Sequence, residues 1–369
     1  MSSRLRGIAL NALAFLAATA VALGGVELLL RAWPQLLGQA FANGVLSKYT
    51  DGEGGIYYAD RVAGMRFMIP NATTQMYANG YVWTHHTDAL GFRNRKLSIP
   101  ADVVLLGDSY IYGHGVDVES TVAAFLEGIA GMSVANLARQ GDCPLQQAQL
   151  LAEFIPVFRP RCVVYCFFEN DIADLYTYLD DAALQAFIDR PLEDISYPHR
   201  LDPSEALRAH QERLRQRSVV SRLKQSSYVY RASRWLRWRL GLRQAQAAPR
   251  RPSLPDVADE RSLAWRYTEK AILYMRAVAQ RHGARFAIAP ITPNTPRQGE
   301  ILRGIADRSG IDFIDTSALR GSDAALWLPG DGHFSPTGAR RFAELIAAHL
   351  TASSQEVVGA PGGATVTGR

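Results

Sequence analysis

Residues 103–112 read VVLLGDSYIY, an apolar run that ends in Gly107, Asp108 and Ser109. Four consecutive apolar residues before a turn are typical of a strand buried on both faces of a parallel sheet. Asp and Ser directly after such a strand are common capping residues at the start of a helix. The stretch therefore predicts a strand, a tight turn and a helix, and it leaves open whether Ser109 is a cap or a reactive hydroxyl.

Similar apolar runs recur along the chain and alternate with segments of helical periodicity. The five predicted strands are 103–107, 132–137, 162–168, 284–291 and 311–315. The helical segments between and after them are 121–130, 144–158, 262–283, 298–310 and 335–350. This alternation predicts an α/β three-layer sandwich, in which helices cover both faces of a five-stranded parallel sheet of the flavodoxin-like type.

Residues 7–26 contain no charged side chain, and Arg4 and Arg6 precede them. About 20 apolar residues span a bilayer, and flanking arginines favour a cytoplasmic N-terminus. We therefore interpret residues 1–6 as a cytoplasmic N-terminus and residues 7–30 as a single transmembrane helix. This orientation puts the rest of the chain outside the cytoplasm.

A cleaved signal peptide is the alternative for this segment. The tripeptide Ala-Thr-Ala at 18–20 fits the small-residue pattern of a cleavage site. Apolarity continues to Leu30, which is longer than a typical signal peptide and favours the anchor, whereas Arg31 is a mild objection to the orientation.

The net charge of +5 is distributed unevenly over the 369 residues. Residues 200–251 hold 14 Lys and Arg against three acids, so the remainder carries a net −6. The block lies in an insertion at about 172–261, whose segment 230–243 interleaves arginines with Trp and Leu. That composition predicts either an interfacial helix on anionic lipid or glycan, or a solvated lid helix, and it does not indicate nucleic-acid binding. The residues expected to make an interfacial contact are Trp235, Trp238, Arg234 and Arg237.

Two further regions are less regular. Residues 31–100 form an aromatic-rich lead-in that is expected to be irregular up to 95, with His85 and His86 on a loop surface. Residues 352–369 are expected to be a disordered tail.

The cysteines do not form a disulfide framework or a metal-binding pattern. Cys143, Cys162 and Cys166 are interpreted as buried free thiols, with a Cys143–Cys166 disulfide as the alternative. We expect neither a metal ion nor a cofactor.

Polar residues follow four of the predicted strands. Ser109 comes after the first strand, Gly141 after the second and Asn170 after the third; Asp331 and His333 lie between the fifth strand and the last helix. Because the carboxyl ends of parallel strands meet at one edge of a sheet, these residues are expected to lie together.

The four segments that carry Ser109, Gly141, Asn170, and Asp331 with His333 resemble the four conserved blocks of the SGNH (GDSL) hydrolases. The resemblance covers residues 101–351. The segment DALGFRNR (88–95) also resembles the lead-in of membrane-anchored bacterial members. The resemblance implies the SGNH hydrolase fold, with Ser109 as nucleophile and Asp331 and His333 as acid and base. It also implies that Gly141 and Asn170 belong to the oxyanion hole. Two departures from the family pattern are Phe168 in place of a glycine and a spacing of two rather than three between the final Asp and His.

The chemistry of these residue types agrees with that implication. A serine hydroxyl becomes a good nucleophile when a neighbouring imidazole takes its proton, and a carboxylate on the second imidazole nitrogen fixes the tautomer. The Ser109 N–H, the Gly141 N–H and the Asn170 amide are the candidate oxyanion donors. His114 is interpreted as a structural or substrate-edge residue, and Asp108 and Asp171 as acids that hold their loops by hydrogen bonds.

Together these observations predict an extracytoplasmic serine esterase that cleaves acyl esters through an acyl-serine intermediate. By analogy with the family, the expected substrate is O-acetyl groups on a cell-envelope or exported polysaccharide. One alternative is an O-acyltransferase that acts on a glycan with a separate membrane acyl-donor protein. The other is a non-catalytic glycan-binding or scaffold protein with the same fold.

Overall fold

The charge-free N-terminal segment forms one long helix in the structure, which is a computed structural model. The structure describes residues 3–200, 202–241, 258–320 and 323–358. Helix α1 (Ser3–Ala32) is followed by a 3₁₀ turn (Pro34–Leu37) and by α2 (Gln39–Leu46). Within the described residues, Arg6–Ala32 is the one segment long and apolar enough to cross a membrane. Apart from Leu30, its apolar side chains are exposed, as a single-pass membrane anchor requires.

The lead-in is regular, contrary to the expectation for residues 31–95. It contains two antiparallel hairpins, β1 (Tyr57–Asp60) with β2 (Met65–Met68) and β3 (Thr73–Ala78) with β4 (Tyr81–His86). The turn between β3 and β4 is Asn79-Gly80, both with positive φ, which is the usual sequence of a two-residue hairpin turn. That dipeptide was the sequence signal for the second hairpin.

His85 is buried within β4 and does not lie on a loop surface. Its Nδ1 is 2.8 Å from the Tyr112 hydroxyl, and its ring stacks on the Tyr112 ring. Alternate residues of a hairpin face opposite sides, so His85 points into the core while His86 stays partly exposed. Burial lowers the pKa of His85 to about 3, so the buried imidazole is neutral at physiological pH.

The five predicted apolar runs form one parallel sheet. Its strands are β5 (Val103–Leu106), β6 (Val134–Asn136), β7 (Cys162–Phe168), β8 (Arg285–Ile291) and β9 (Asp312–Phe313). Their order across the sheet is β6-β5-β7-β8-β9, and every pair is parallel. The α/β class and the five-stranded parallel sheet are therefore confirmed. The edge strand β9 is shorter than the predicted 311–315.

The remaining helices follow the predicted alternation, with an additional group inserted after β7. They are α3 (Ser109–Tyr112), α4 (Val122–Ala130), α5 (Pro144–Phe158), α6 (Asp171–Tyr178), α7 (Asp181–Asp189), α8 (Pro203–Arg215), α9 (Val219–Ser226), α10 (Tyr228–Arg239), α11 (Leu263–Arg281), α12 (Pro296–Ser309) and α13 (Pro336–Val358). Short 3₁₀ turns lie at Val118–Ser120, Leu192–Asp194, Ser317–Leu319 and Ala324–Leu326. Helix α4 packs against α13, and α5 packs against α11. The chain reverses direction across the sheet between β6 and β7, so right-handed crossovers put α4 and α5 on opposite faces.

Helix α13 shows that the predicted tail began too early. Residues 352–358 continue the helix because neither Gly nor Pro interrupts the sequence before Gly359. The rest of the predicted tail, 359–369, lies outside the described residues, as do 242–257, which include the end of the predicted Trp–Arg segment.

The three cysteines are free and buried. Cys143 caps α5, whereas Cys162 and Cys166 lie in β7. The interpretation as buried free thiols is confirmed, and the alternative disulfide is not formed.

The junction between α9 and α10 is attached to the last turns of α1. The Glu27 carboxylate accepts hydrogen bonds from the backbone N–H groups of Tyr228 and Val229, at 3.0 and 2.8 Å. The Arg31 guanidinium donates to the Ser226 carbonyl at 2.8 Å and pairs with Glu27 at 2.8 Å. An acid therefore meets the N-terminus of α10 and a base meets the C-terminus of α9, each complementing the dipole of the helix end that it contacts.

Candidate active site

Ser109 is the first residue of α3, directly beyond the end of β5. A side chain at Gly107 would lie 2.6 Å from Ile111 Cγ1, so glycine permits the tight turn at this point. Asp108 caps the helix by accepting a hydrogen bond from the Tyr110 N–H at 3.0 Å. The turn fixes the Ser109 hydroxyl at the carboxyl edge of the sheet.

One hydrogen bond joins Ser109 to the loop before α13, and a second holds the imidazole of His333 within that loop. His333 Nε2 is 2.8 Å from Ser109 Oγ, and His333 Nδ1 is 2.5 Å from Asp331 Oδ1. The same Asp331 oxygen accepts the His333 backbone N–H at 3.2 Å. A spacing of two residues therefore lets one carboxylate hold both the backbone and the imidazole of His333.

The protonation states suit proton transfer from Ser109. Burial lowers the pKa of His333, opposing the hydrogen bond from Asp331 that raises it. Burial alone would raise the pKa of Asp331, but the donors around its carboxylate overcome that effect and hold the pKa well below its usual range. At neutral pH a carboxylate therefore faces a neutral imidazole with its proton on Nδ1, and Nε2 is left to accept the proton of Ser109.

Two further residues contact Asp331: Asn79, which sequence reasoning did not place at the site, and His114, which it interpreted as structural or substrate-edge. Asn79, in the β3–β4 turn, donates to Asp331 Oδ2 at 2.7 Å. His114 Nε2 lies 3.3 Å from the same oxygen, and the His114 ring stacks on the His333 ring with centroids 4.0 Å apart. Gln140 Nε2 donates to His114 Nδ1 at 2.8 Å, which puts the imidazole proton on Nε2, toward Asp331.

Among the residues that the structure describes, three side chains at the site could together hold a metal ion. The ligand atoms of His114, Asp331 and His333 lie within 4.8 Å of one another. In this structure His333 uses both ring nitrogens in hydrogen bonds, to Asp331 and to Ser109. An ion bound by His333 would replace one of those bonds. The expectation of no metal remains a prediction.

Gly141 and Asn170 flank the strand that carries Ser109. Gly141 follows β6 and Asn170 follows β7, the two neighbours of β5 in the sheet. Gly141 has φ +73°, and even a Cβ added there would have no heavy atom within 4 Å, so its backbone is open to close approach by a ligand. The Asn170 amide donates to Asp174 at 2.9 Å, and its second N–H remains for another acceptor.

Two buried carboxyl groups support the strand ends. Burial raises the pKa of Asp108 to about 7. Burial also raises the pKa of Asp171, whose carboxylate accepts from the Tyr165 hydroxyl at 3.3 Å and from the Phe168 N–H at 3.4 Å. These bonds hold the loops that carry Ser109 and Asn170, in agreement with the supporting role expected for both acids.

Phe168, the departure from the family pattern, packs beside the site. Its ring lies 4.0 Å from the Tyr110 ring. The Tyr110 hydroxyl donates to the Gly332 carbonyl at 2.7 Å, linking α3 to the turn that carries His333. Phe168 therefore contributes to the packing that holds the two halves of the site together.

The lead-in segment 88–95 supports the loop after α3. Arg93 is fully buried, and its guanidinium donates to the carbonyls of Tyr112, Gly113 and Val116 at 3.0, 2.5 and 2.5 Å, and to that of Thr84 at 3.0 Å. One arginine thus ties β4 to the segment that directly follows Ser109.

Comparisons with known proteins give similarities among solved structures alone: no family model and no curated protein matches the chain. TesA is 13% identical with a TM-score of 0.39, covering 68% of this chain and 98% of its own. The psychrotrophic esterase EstA from Pseudoalteromonas sp. is 9% identical with a TM-score of 0.38, covering 69% and 99%. A lipolytic protein of the G-D-S-L family from Desulfitobacterium hafniense DCB-2 is 15% identical with a TM-score of 0.34, covering 67% and 98%.

Proposed function

We propose that this protein is a serine esterase that acts through an acyl-Ser109 intermediate. The observation that carries the proposal is the continuous hydrogen-bonded chain from Ser109 Oγ through His333 to Asp331, at 2.8 and 2.5 Å. A neutral imidazole between a serine and a carboxylate is the arrangement that activates a hydroxyl for attack on an acyl carbon.

The first half-reaction forms the acyl-enzyme. Ser109 Oγ attacks the ester carbonyl while His333 Nε2 takes its proton, and Asp331 stabilises the imidazolium. The backbone N–H groups of Ser109 and Gly141 and the side-chain amide of Asn170 are the donors proposed for the oxyanion. Collapse breaks the ester C–O bond, and His333 returns the proton to the leaving alcohol.

The second half-reaction releases the acyl group. His333 removes a proton from a water molecule, which attacks the acyl-Ser109 carbonyl. The tetrahedral intermediate expels Ser109 Oγ, which recovers its proton from His333, and a carboxylic acid leaves. Transfer would use the same intermediate, with a glycan hydroxyl in place of water and a membrane protein as acyl donor.

For the substrate we propose O-acetyl groups on a cell-envelope or exported polysaccharide on the periplasmic side of the inner membrane. Support for the location comes from the apolar helix α1, which gives the chain a candidate anchor beside the site-bearing domain. The short distances within the Ser109–His333–Asp331 chain favour an esterase over a non-catalytic glycan-binding or scaffold protein.

The test is turnover by the full chain in detergent, with p-nitrophenyl acetate and an acetylated glycan as substrates. The full chain is needed because α1 holds the α9–α10 junction. Ser109→Ala is expected to lower kcat by about 10³-fold or more, and to abolish labelling by a fluorophosphonate. Ser233→Ala, on the exposed side of α10, is the matched control and keeps both.

Equal turnover by the wild type and Ser109→Ala would contradict the proposal. Hydrolysis and transfer are separated by product analysis: free acetate indicates water as the acceptor, whereas an acetylated sugar formed from an added glycan indicates transfer.

A further inference from the structure

Helices α9 and α10 present a surface that the proposed esterase does not use. Large apolar side chains stand out from it, and the Trp238 side chain is 66% exposed. We name this group the apolar rim; its members are Val219, Val220, Leu223, Leu236, Trp238 and Leu240. Exposed apolar side chains concentrated on two adjoining short helices are typical of a surface that contacts another phase or partner.

The apolar rim starts where the candidate membrane span ends. Glu27 and Arg31, in the last turns of α1, hold the start of α10 and the end of α9. Trp33 and Leu36, just beyond α1, are exposed as well. The α9–α10 junction is therefore fixed at the level at which the chain leaves the membrane.

Helix α10 divides its aromatic residues between two faces. Tyr228, Ala232 and Trp235 pack against a small core of α1 and α2 residues, and the Trp235 ring contacts the Phe41 ring at 6.0 Å. Trp238 lies outside that core and is exposed. Of the two tryptophans expected at an interface, Trp235 therefore anchors the helix and Trp238 carries the free ring.

The charge of this surface is of one sign. Residues 213–241 contain nine Lys and Arg and no acid, whereas the chain outside the basic block is net negative. On α9 and α10 the exposed cations are Arg222, Lys224, Arg234, Arg237 and Arg239. Trp, Leu and Arg together on short helices are the composition of segments that lie in a lipid headgroup region.

We propose that α9 and α10 lie on the membrane that α1 spans and bind anionic phospholipid headgroups. The apolar rim enters the interface, and the exposed arginines contact the phosphates. The partner is anionic lipid because the surface is continuous with the anchor and purely cationic. This proposal rests on α1 as the anchor and is independent of the esterase chemistry.

Spin-label accessibility in reconstituted vesicles tests the placement. The full chain is incorporated into vesicles of phosphatidylcholine and phosphatidylglycerol, with a label on Trp238→Cys or on Ile129→Cys, an exposed apolar position of α4. The three native cysteines are buried and are expected to stay unlabelled. The Trp238 label is expected to collide more with oxygen than with a water-soluble nickel chelate, and the Ile129 label is expected to do the reverse. Chelate-dominated collisions at both positions would overturn the proposal.

Charge reversal tests the lipid chemistry. Arg234→Glu with Arg237→Glu is expected to move the Trp238 label toward the chelate-accessible state in vesicles that contain phosphatidylglycerol. Arg340→Glu with Arg341→Glu, an equal charge change on exposed positions of α13, is the control and is expected to leave the label in place. A near-ultraviolet circular dichroism spectrum equal to that of the wild type shows that each variant is folded. A Trp238 label that stays oxygen-accessible after the α10 reversal would overturn the role of anionic headgroups.

Discussion

Asp331 accepts more hydrogen bonds than the orientation of one imidazole requires. Its two oxygens receive the ring and backbone N–H groups of His333 and the amide of Asn79, and His114 Nε2 lies 3.3 Å from the second oxygen. Each added donor stabilises the carboxylate and lowers its attraction for the proton on His333. His114 is thus placed to adjust the basicity of His333.

His114→Phe tests this positioning role. Phenylalanine keeps the stacked ring but removes the Nε2 atom that lies 3.3 Å from Asp331 Oδ2, and with it the nearby imidazole that lowers the pKa of His333. We expect kcat/KM to fall about tenfold, equivalent to roughly 1.4 kcal/mol. Because His333 must be neutral to accept a proton, the acid limb of the pH profile is expected to shift to higher pH as the pKa of His333 rises.

His86→Phe is the matched control. His86 lies on the same hairpin as Asn79, and its imidazole contacts Thr73. Within the part of the chain that the structure describes, it has no contact with Asp331. It is expected to leave both the rate and the acid limb unchanged. A His114→Phe profile that superimposes on the wild type would show that His114 has no influence on His333.

The sequence indicated Ser109, Asp331 and His333 as the candidate reactive residues, but it did not indicate that Asn79 supports them. Ser109, Asp331 and His333 each sit in a short motif next to a predicted strand, where the topology of a parallel sheet brings them together. Asn79 reaches Asp331 from a hairpin 252 positions away in the chain. No local pattern marks that contact, because it depends on how the lead-in packs against the domain.

At the scale of elements, the lead-in is part of the support for α3. Arg93 joins β4 to the residues after Ser109 by hydrogen bonds to four carbonyl groups. The planar guanidinium reaches several acceptors at once, which a lysine ammonium on a single stem does not. The arginine of the GFR motif at residues 91–93 is therefore explained by its structural role in supporting α3.

Arg93→Lys and Arg95→Lys provide a matched comparison of neighbouring arginines. Arg93→Lys is expected to lower the free energy of unfolding by about 2–4 kcal/mol, because buried carbonyls lose charged donors. Arg95 forms an exposed ion pair with Glu127, so Arg95→Lys is expected to cost less than about 1 kcal/mol. Urea unfolding in detergent, followed by near-ultraviolet circular dichroism, measures both; equal midpoints would contradict the role of Arg93.

The elements themselves were predictable to different degrees. The apolar runs that form β5, β7 and β8 are continuous and buried, and the structure has them close to their predicted bounds. The strands β1 and β2 have four residues each, too few for an alternating pattern to stand out from an irregular segment.

At the scale of the whole molecule, the sheet and its covering helices form one continuous core. That core includes Cys143, Cys162 and Cys166 together with residues of both lead-in hairpins. Burial raises the pKa of the Cys162 thiol to about 12 and raises those of Cys143 and Cys166 as well. The thiolate, which is the reactive form, is therefore scarce in the folded protein.

Pulse labelling with a maleimide at neutral pH, read by mass spectrometry, tests this single core. The folded full chain is expected to remain unlabelled, and all three thiols are expected to react together as denaturant unfolds the domain. Labelling of Cys143 well before Cys162 would instead show that α5 opens separately from the sheet.

The bond between Ser109 and His333 spans 224 positions of the chain, and this separation has a consequence for biosynthesis. At about 5–20 residues per second, His333 is synthesised roughly 10–45 s after Ser109. The apolar helix emerges before either residue and is available for membrane targeting throughout that interval. The newly made serine therefore has no base to activate it until most of the polypeptide exists, so the proposed ester-cleaving activity cannot arise before His333 has been synthesised.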